Sequence, residues 1–89
     1  MSAHYVYVVR CADGSLYTGY ARDPVARAAV HNRGKGAHYT ASRRPVTLIY
    51  LEGFAGKSDA LKREHELKRL RRASKETLIA RAMPPFLQS

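Results

Sequence analysis

A hairpin near the start of the chain constrains the fold more than any other feature. Residues 4–11 alternate in the manner of a strand and are rich in tyrosine and valine. Leu16-Tyr17-Thr18-Gly19-Tyr20 returns as a second strand after Cys11-Ala12-Asp13-Gly14-Ser15, in which Asp13-Gly14 marks a turn. The length of that turn decides where two tyrosines go. A two-residue Asp13-Gly14 loop sets Tyr17 opposite Arg10 and turns Tyr7 to the other face. A three-residue Ala12-Asp13-Gly14 loop sets Cys11 opposite Ser15 and Tyr17 opposite Val9, so that Tyr7 and Tyr17 share a face. The longer loop ends in a residue at positive φ, a conformation that suits Gly14, and is the one predicted here.

The rest of the chain supplies helices and one more strand. Asp23 is an N-cap and Pro24 a first helical residue, predicting a helix from Pro24 to about Asn32 that stops near Gly34. Residues 33–45 read as a basic, glycine-containing loop. Residues 46–54 read as a third strand, and the unbroken run Leu48-Ile49-Tyr50-Leu51 predicts burial on both faces and a central place in the sheet. Ser58 is positioned to cap a second helix reaching about Arg72, and Ser74 a third with Leu78, Ile79 and Ala82 as its apolar positions. Pro84-Pro85 ends that helix, and a frayed tail follows. The predicted fold is a small α+β domain over residues 1–83, a three-stranded and mainly antiparallel sheet flanked by helices in the order β-β-α-β-α-α, with residues 84–89 as a short tail.

Eighty-nine residues suffice for one domain with one core. The single cysteine, Cys11, excludes an internal disulfide and points to a reducing, cytoplasmic setting, with Cys11 as a packed thiol. No apolar run approaches the ~20 residues a membrane span needs, and the N-terminus enters a strand pattern directly, leaving no room for a signal peptide. Sixteen Lys and Arg against seven Asp and Glu give a net charge of +9. An imbalance of that size predicts a polyanionic partner, nucleic acid ahead of an anionic membrane surface. The histidines His4, His31, His38 and His65 are scattered, with no zinc-ligand spacing.

Several side chains carry chemistry. Arg27 and His31 are four apart and project from one face of the first helix. Arg27 suits a phosphate oxygen and the charge that develops on it, or is a solvated helix residue. His31 can orient a tyrosine, donate to a phosphate or move a proton, or is a helix-end cap or surface residue. Glu64 neighbours Ala60, Leu61 and Leu67 at helical spacing, which places a carboxylate on the inward stripe. Either Lys68, one turn on, pairs with it, or it ligates a divalent cation. One carboxylate suits Mg²⁺, which keeps its waters and takes substrate oxygens. Glu66, among Lys62, Arg63 and Arg69, reads as a surface ion-paired residue. Phosphate contacts are expected from Arg33, Lys35, Arg43 and Arg44 in the loop and from Lys68, Arg69, Arg71 and Arg72. His38 and Tyr39 are placed to stack on an unpaired base.

Val6-Tyr7-Val8 and Tyr17-Thr18-Gly19 resemble the two halves of the GIY-YIG nuclease signature. Arg27 with His31, the Lys35-Gly36-Ala37 loop and Glu64 before Lys68 follow in the family's order, over roughly residues 4–80. The chain looks like a small, stand-alone bacterial single-domain member. It departs from the pattern in having Val6 where the family has Gly. Tyr20 and Ala21 follow Gly19 where many members carry a basic residue, with Arg22 or Lys35 as substitutes. The resemblance implies a catalytic set of Tyr7, Tyr17, Arg27, His31 and Glu64, with Glu64 holding Mg²⁺ or Mn²⁺. It implies hydrolysis of DNA phosphodiesters, selective for shape or weakly for sequence, in repair or recombination, on branched or single-stranded DNA, with RNA left open. A non-catalytic nucleic-acid-binding module on the same fold is the alternative, and a protein-interaction adaptor a third.

Overall fold

The structure is a computed structural model and describes residues 2–82. In chain order it contains β1 (His4–Arg10), β2 (Leu16–Ala21), α1 (Pro24–Asn32), α2 (His38–Ala41), β3 (Thr47–Phe54), α3 (Lys57–Lys68) and α4 (Arg72–Ala82). The strands form one antiparallel sheet in the order β2-β1-β3. The α+β class and the β-β-α-β-α-α order are those expected, with the single turn of α2 added inside the basic loop.

The hairpin closes through three residues. The Cys11 amide donates to Ser15 O at 2.8 Å, the Gly14 amide to Cys11 O at 2.9 Å, and Gly14 lies at φ 85°. Asp13 Oδ1 accepts from the Ser15 amide at 3.0 Å and the Ser15 hydroxyl at 2.6 Å, which fixes the turn. Tyr17 therefore opposes Val9, and Tyr7 opposes Gly19. Alternation then sorts the side chains. Val6 and Val8 pack with Tyr50, Ala60, Leu67 and Ile79 under α3 and α4. Tyr7, Val9, Cys11, Ala21 and Val46 pack on the other face with Tyr17 and Leu48.

Asp23 Oδ1 accepts from the Ala26 amide at 3.1 Å and caps α1, whose bounds match the expectation. Five other expectations are corrected. β3 lies at an edge, because the strand buried on both faces is β1, where Val6 to Val9 are no more than 2% exposed. Leu51 on β3 is 46% exposed, so its apolar run does not report two covered faces. Ser58 does not cap α3: the N-cap is Gly56, without a side-chain bond. The helix ends at Lys68 rather than near Arg72, and Ser74 falls inside α4. Contacts distant in sequence start α4 early. Arg72 donates to Gly14 O at 2.7 Å, and Arg10 pairs with Glu76 at 2.8 Å, which pins the first turns of α4 to the hairpin. Ile79 is buried and Leu78 packs beside it, while Ala82 is exposed. Pro84-Pro85 and the tail lie outside the described residues.

Candidate active site

Strand alternation delivers Tyr7 and Tyr17 to the face that α1 covers, and α1 delivers His31. His31 is 1% exposed, so it is not a surface residue at a helix end. Its Nε2 lies 2.7 Å from the Tyr7 hydroxyl and its Nδ1 2.7 Å from Thr40 Oγ1. The direction of the protons follows from the third link. Thr40 Oγ1 donates to Ala37 O at 3.2 Å, so it accepts from Nδ1–H, and the unprotonated Nε2 accepts from Tyr7. Burial, then the Arg27 charge, lowers the His31 pKa and favours this neutral imidazole. Burial, then neighbouring Tyr17, pushes the Tyr7 phenol well above its usual value, with Arg27 pulling it back. Tyr7 is therefore held as a phenol whose proton is aimed at a histidine able to receive it.

Two glycines make room for this pair. A Cβ on Gly19 would overlap the Tyr7 hydroxyl, and one on Gly36 would overlap the His31 ring. Gly19 belongs to the Tyr-Thr-Gly segment and Gly36 to the basic loop, so both backbones lie directly against the hydrogen-bonded couple.

Tyr17 is half-buried, with its ring edge to face with His31 at 5.3 Å. Lys68 Nζ sits 5.6 Å from the Tyr17 ring centroid and 3.6 Å from Glu64 Oε2. The Glu64 side chain is 20% exposed, as the inward stripe predicts, and its charge reaches Tyr7. The Lys68 pairing is one of the two alternatives set out above. Glu66 pairs with Arg63 at 3.9 Å, as its neighbours indicated. Arg27 is exposed and lines a cleft of about 480 Å³ with Tyr20, Arg22, Asp23 and Lys57, and its charge is felt by both Tyr7 and His31. Arg22, named as a substitute for the missing basic residue, shares that cleft.

The basic loop divides. Arg43 stacks over the Tyr39 ring at 4.0 Å and pairs with Asp13 at 3.2 Å. Tyr39 also stacks on Tyr17 at 6.0 Å and stays 38% exposed. Arg44 donates to Ala41 O at 2.9 Å and lines a separate cleft with Asn32, Ala41, Ser42 and Pro45, where no tyrosine of the site reaches. Arg33, Lys35 and His38 are exposed. Tyr20 hydrogen-bonds His4 at 2.7 Å and Tyr5 donates to Ser2 O at 3.4 Å, both packing roles. Cys11 is a buried free thiol. Sequence reasoning missed Thr40, which is fully buried and sets the tautomer of His31. Nothing in its local sequence marks it.

Among the described residues no three or more His, Cys, Asp or Glu side chains cluster as a metal cage. A single carboxylate, 20% exposed and close enough for its charge to reach Tyr7, fits a hard cation that keeps water and substrate oxygens in its shell. Glu64 is the residue that would hold it. No helix among the described residues is long and apolar enough to cross a membrane.

Known proteins share this fold. A UPF0213 protein of Staphylococcus aureus is 58% identical over 79 residues, spanning 89% of this chain and 96% of its own length. The solution NMR structure of a UPF0213 protein from Bacillus halodurans superposes with a TM-score of 0.61 at 43% identity, covering 93% of this chain and 88% of that one. A protein of E. faecalis, also solved by NMR, gives 0.59 at 45% identity, over 89% of this chain and 88% of its own. The model of the GIY-YIG catalytic domain matches residues 3–77. With the shared tyrosine face, its buried histidine and that match over most of its length, the chain belongs to the GIY-YIG family, whose nuclease domain supports endonuclease-type function on nucleic acid.

Proposed function

We propose that the chain is a divalent-metal-dependent endonuclease that hydrolyses DNA phosphodiester bonds, selecting substrates by shape or weakly by sequence, in repair or recombination. The observation that carries this reading is the directed chain Tyr7–His31–Thr40 beside Tyr17, Arg27 and Glu64. A high-pKa phenol is a poor base alone, but its proton has a place to go. As the attacking water gives a proton to the Tyr7 oxygen, the Tyr7 proton passes to His31 Nε2, and the imidazolium keeps Nδ1–H on Thr40. The resulting hydroxide forms a bond to phosphorus while the bond from phosphorus to the 3′ oxygen breaks. Arg27 stabilises the charge spread over the phosphoryl oxygens, and Tyr17 orients the water beside Tyr7. A Mg²⁺ or Mn²⁺ on Glu64 would supply Lewis-acid stabilisation of the phosphate and of the departing oxygen. Arg43, Lys68 and the exposed Arg33, Lys35, His38 and Arg44 supply sequence-independent attraction to the backbone, which falls steeply with salt.

The test is cleavage and binding of labelled single-stranded, duplex and branched DNA with Mg²⁺, Mn²⁺ or EDTA. Wild type should cut only with metal. Glu64→Ala should bind normally and cut at least about 100-fold more slowly. The Lys68–Glu64 ion pair favours one rival, a non-catalytic nucleic-acid-binding module in which Glu64 is a paired structural carboxylate. Binding without cleavage by either protein would establish that rival.

A further inference from the structure

A further cavity, of about 270 Å³, opens at the hairpin end of β2 and is lined by Ser15, Leu16, Tyr39, Arg72 and Lys75. Lys75 is half-buried, and among the described residues its ammonium has no hydrogen-bond or ion-pair partner. Burial, then the charge of Lys68, lowers its pKa. The carboxylates of this region are taken elsewhere: Glu76 by Arg10 at 2.8 Å and Arg72 at 3.5 Å, Glu64 by Lys68 at 3.6 Å, Asp13 by Arg43 at 3.2 Å. A cation drawn from water with no counter-ion is costly, and an anion in the cavity removes that cost. Arg72 is already immobilised on Gly14 O at 2.7 Å, so the wall is set before a ligand arrives.

The cavity adjoins the tyrosine site. Tyr39 stacks on Tyr17 at 6.0 Å, and Lys68 connects Lys75 to Tyr17 and Glu64. β2 runs from Leu16 at this cavity to Ala21 at the cleft holding Arg22, Arg27 and Lys57. Five strand rises are roughly 17 Å, about five steps of a B-form strand at ~3.4 Å each. We propose that the cavity is a phosphate subsite in which Lys75, with Arg72 and Tyr39, holds a backbone phosphate of the substrate strand a few nucleotides from the cut bond, on the Tyr17 side. The assignment rests on the endonuclease reading of the tyrosine site.

Two readouts keep the subsite and that reading separable. Titration of labelled protein with inorganic phosphate, followed by NMR, requires no cleavage. Saturable shifts should centre on Ser15, Leu16, Tyr39 and Lys75, vanish in Lys75→Gln and return in Lys75→Arg. Shifts that survive in Lys75→Gln, or spread evenly over the basic surface, overturn the subsite. The second readout places a neutral methylphosphonate at each linkage of an oligonucleotide in turn and measures binding. One position should weaken wild type about fivefold and leave Lys75→Gln unaffected, with Lys75→Gln also showing a salt slope shallower by about 1. Lys62→Gln, elsewhere on the basic surface, should keep the wild-type interference pattern. Sensitivity only to a 5′-terminal phosphate upholds the subsite and assigns it to a strand end. Interference at no particular position overturns it. Phosphate shifts in a protein that never cuts would sink the endonuclease reading and leave the phosphate site standing.

Discussion

The two faces of the sheet each carry a tyrosine-centred polar cluster, and the clusters are built on different principles. On the α3 face, Tyr50 donates to Glu52, and Arg63 donates to the same carboxylate at 2.9 and 3.0 Å. Glu52 meets Arg63 directly, with Glu66 a looser second partner of the guanidinium at 3.9 Å, each donor ends on an acceptor, and the group fastens edge strand β3 to α3. Burial pushes Glu52 upward, yet the bonds from Arg63 and Tyr50 outweigh it and hold the carboxyl below its usual value. Burial and the bond to Glu52 push Tyr50 up to about 12. On the α1 face, Tyr7–His31–Thr40 contains no ion. It ends at a phenol oxygen with acceptor capacity left, while Arg27 and Lys68 stand nearby. A closed, charge-balanced cluster has nothing left to offer a ligand. An open neutral chain ringed by cations is prepared for an anion and a proton.

The largest test of that contrast is His31→Ala. It leaves a cavity, an unpaired Tyr7 hydroxyl and an unpaired Thr40, and should lower unfolding free energy by about 3 kcal/mol. His31→Gln should recover much of the stability in chemical denaturation but not the cleavage rate. Full cleavage by either variant would break the proton path. Gly19→Ala should destabilise by about 2 kcal/mol by driving a methyl into Tyr7, and should slow cleavage. Glu52→Ala leaves Arg63 only its longer pairing with Glu66 at 3.9 Å, and the partial exposure of the Glu52 and Arg63 side chains, 23% and 30%, limits the loss to about 1–2 kcal/mol. A folded Glu52→Ala should cut DNA at the wild-type rate, and loss of cutting would erase the distinction between the clusters. Thr40→Val should cost about 1 kcal/mol and Thr40→Ser almost nothing.

The smallest effects are in pH. The folded pKa of His31 is below 6.5, so between the two values the unfolded chain binds the extra proton. The His31 contribution is complete above pH 6.5 and is lost as pH falls below it. Glu52, also depressed, behaves likewise below 4.5. Tyr50 has the opposite sense: its contribution is complete below pH 10 and is lost between 10 and about 12. Denaturation at stepped pH should therefore show the α1-face cluster weakening first in mild acid, and both clusters weakening above pH 10, because burial raises Tyr7 as well as Tyr50. His31→Gln should flatten the slope just below 6.5 and leave the alkaline slope unchanged.

Features governed by neighbours in sequence were legible before the structure. The three-residue turn follows from counting to Ser15, the start of α1 from Asp23-Pro24, and the inward lean of Glu64 from helical spacing. Features governed by distant contacts were not. The strand read over residues 46–54 looks doubly buried because Leu48-Ile49-Tyr50-Leu51 is apolar throughout, but only pairing shows that β1 takes the centre. Lys68 to Arg72 reads as unbroken helix, and the break exists because Arg72 and Glu76 are held by Gly14 and Arg10. Helical spacing singles out His31 and leaves open whether it serves a tyrosine or caps the helix end; its burial follows only from Tyr7 and Thr40, brought from either side.

Gly19 and Gly36 carry no charge, acid or nucleophile, yet each presses its backbone on one member of the Tyr7–His31 couple. The shape of the site is thus written partly in missing methyl groups. Genetic drift can change the conspicuous exposed cations one at a time and lose only a share of the attraction. A single added carbon at either glycine pushes the phenol and the imidazole apart. The positions least able to vary are those that a search for reactive side chains passes over.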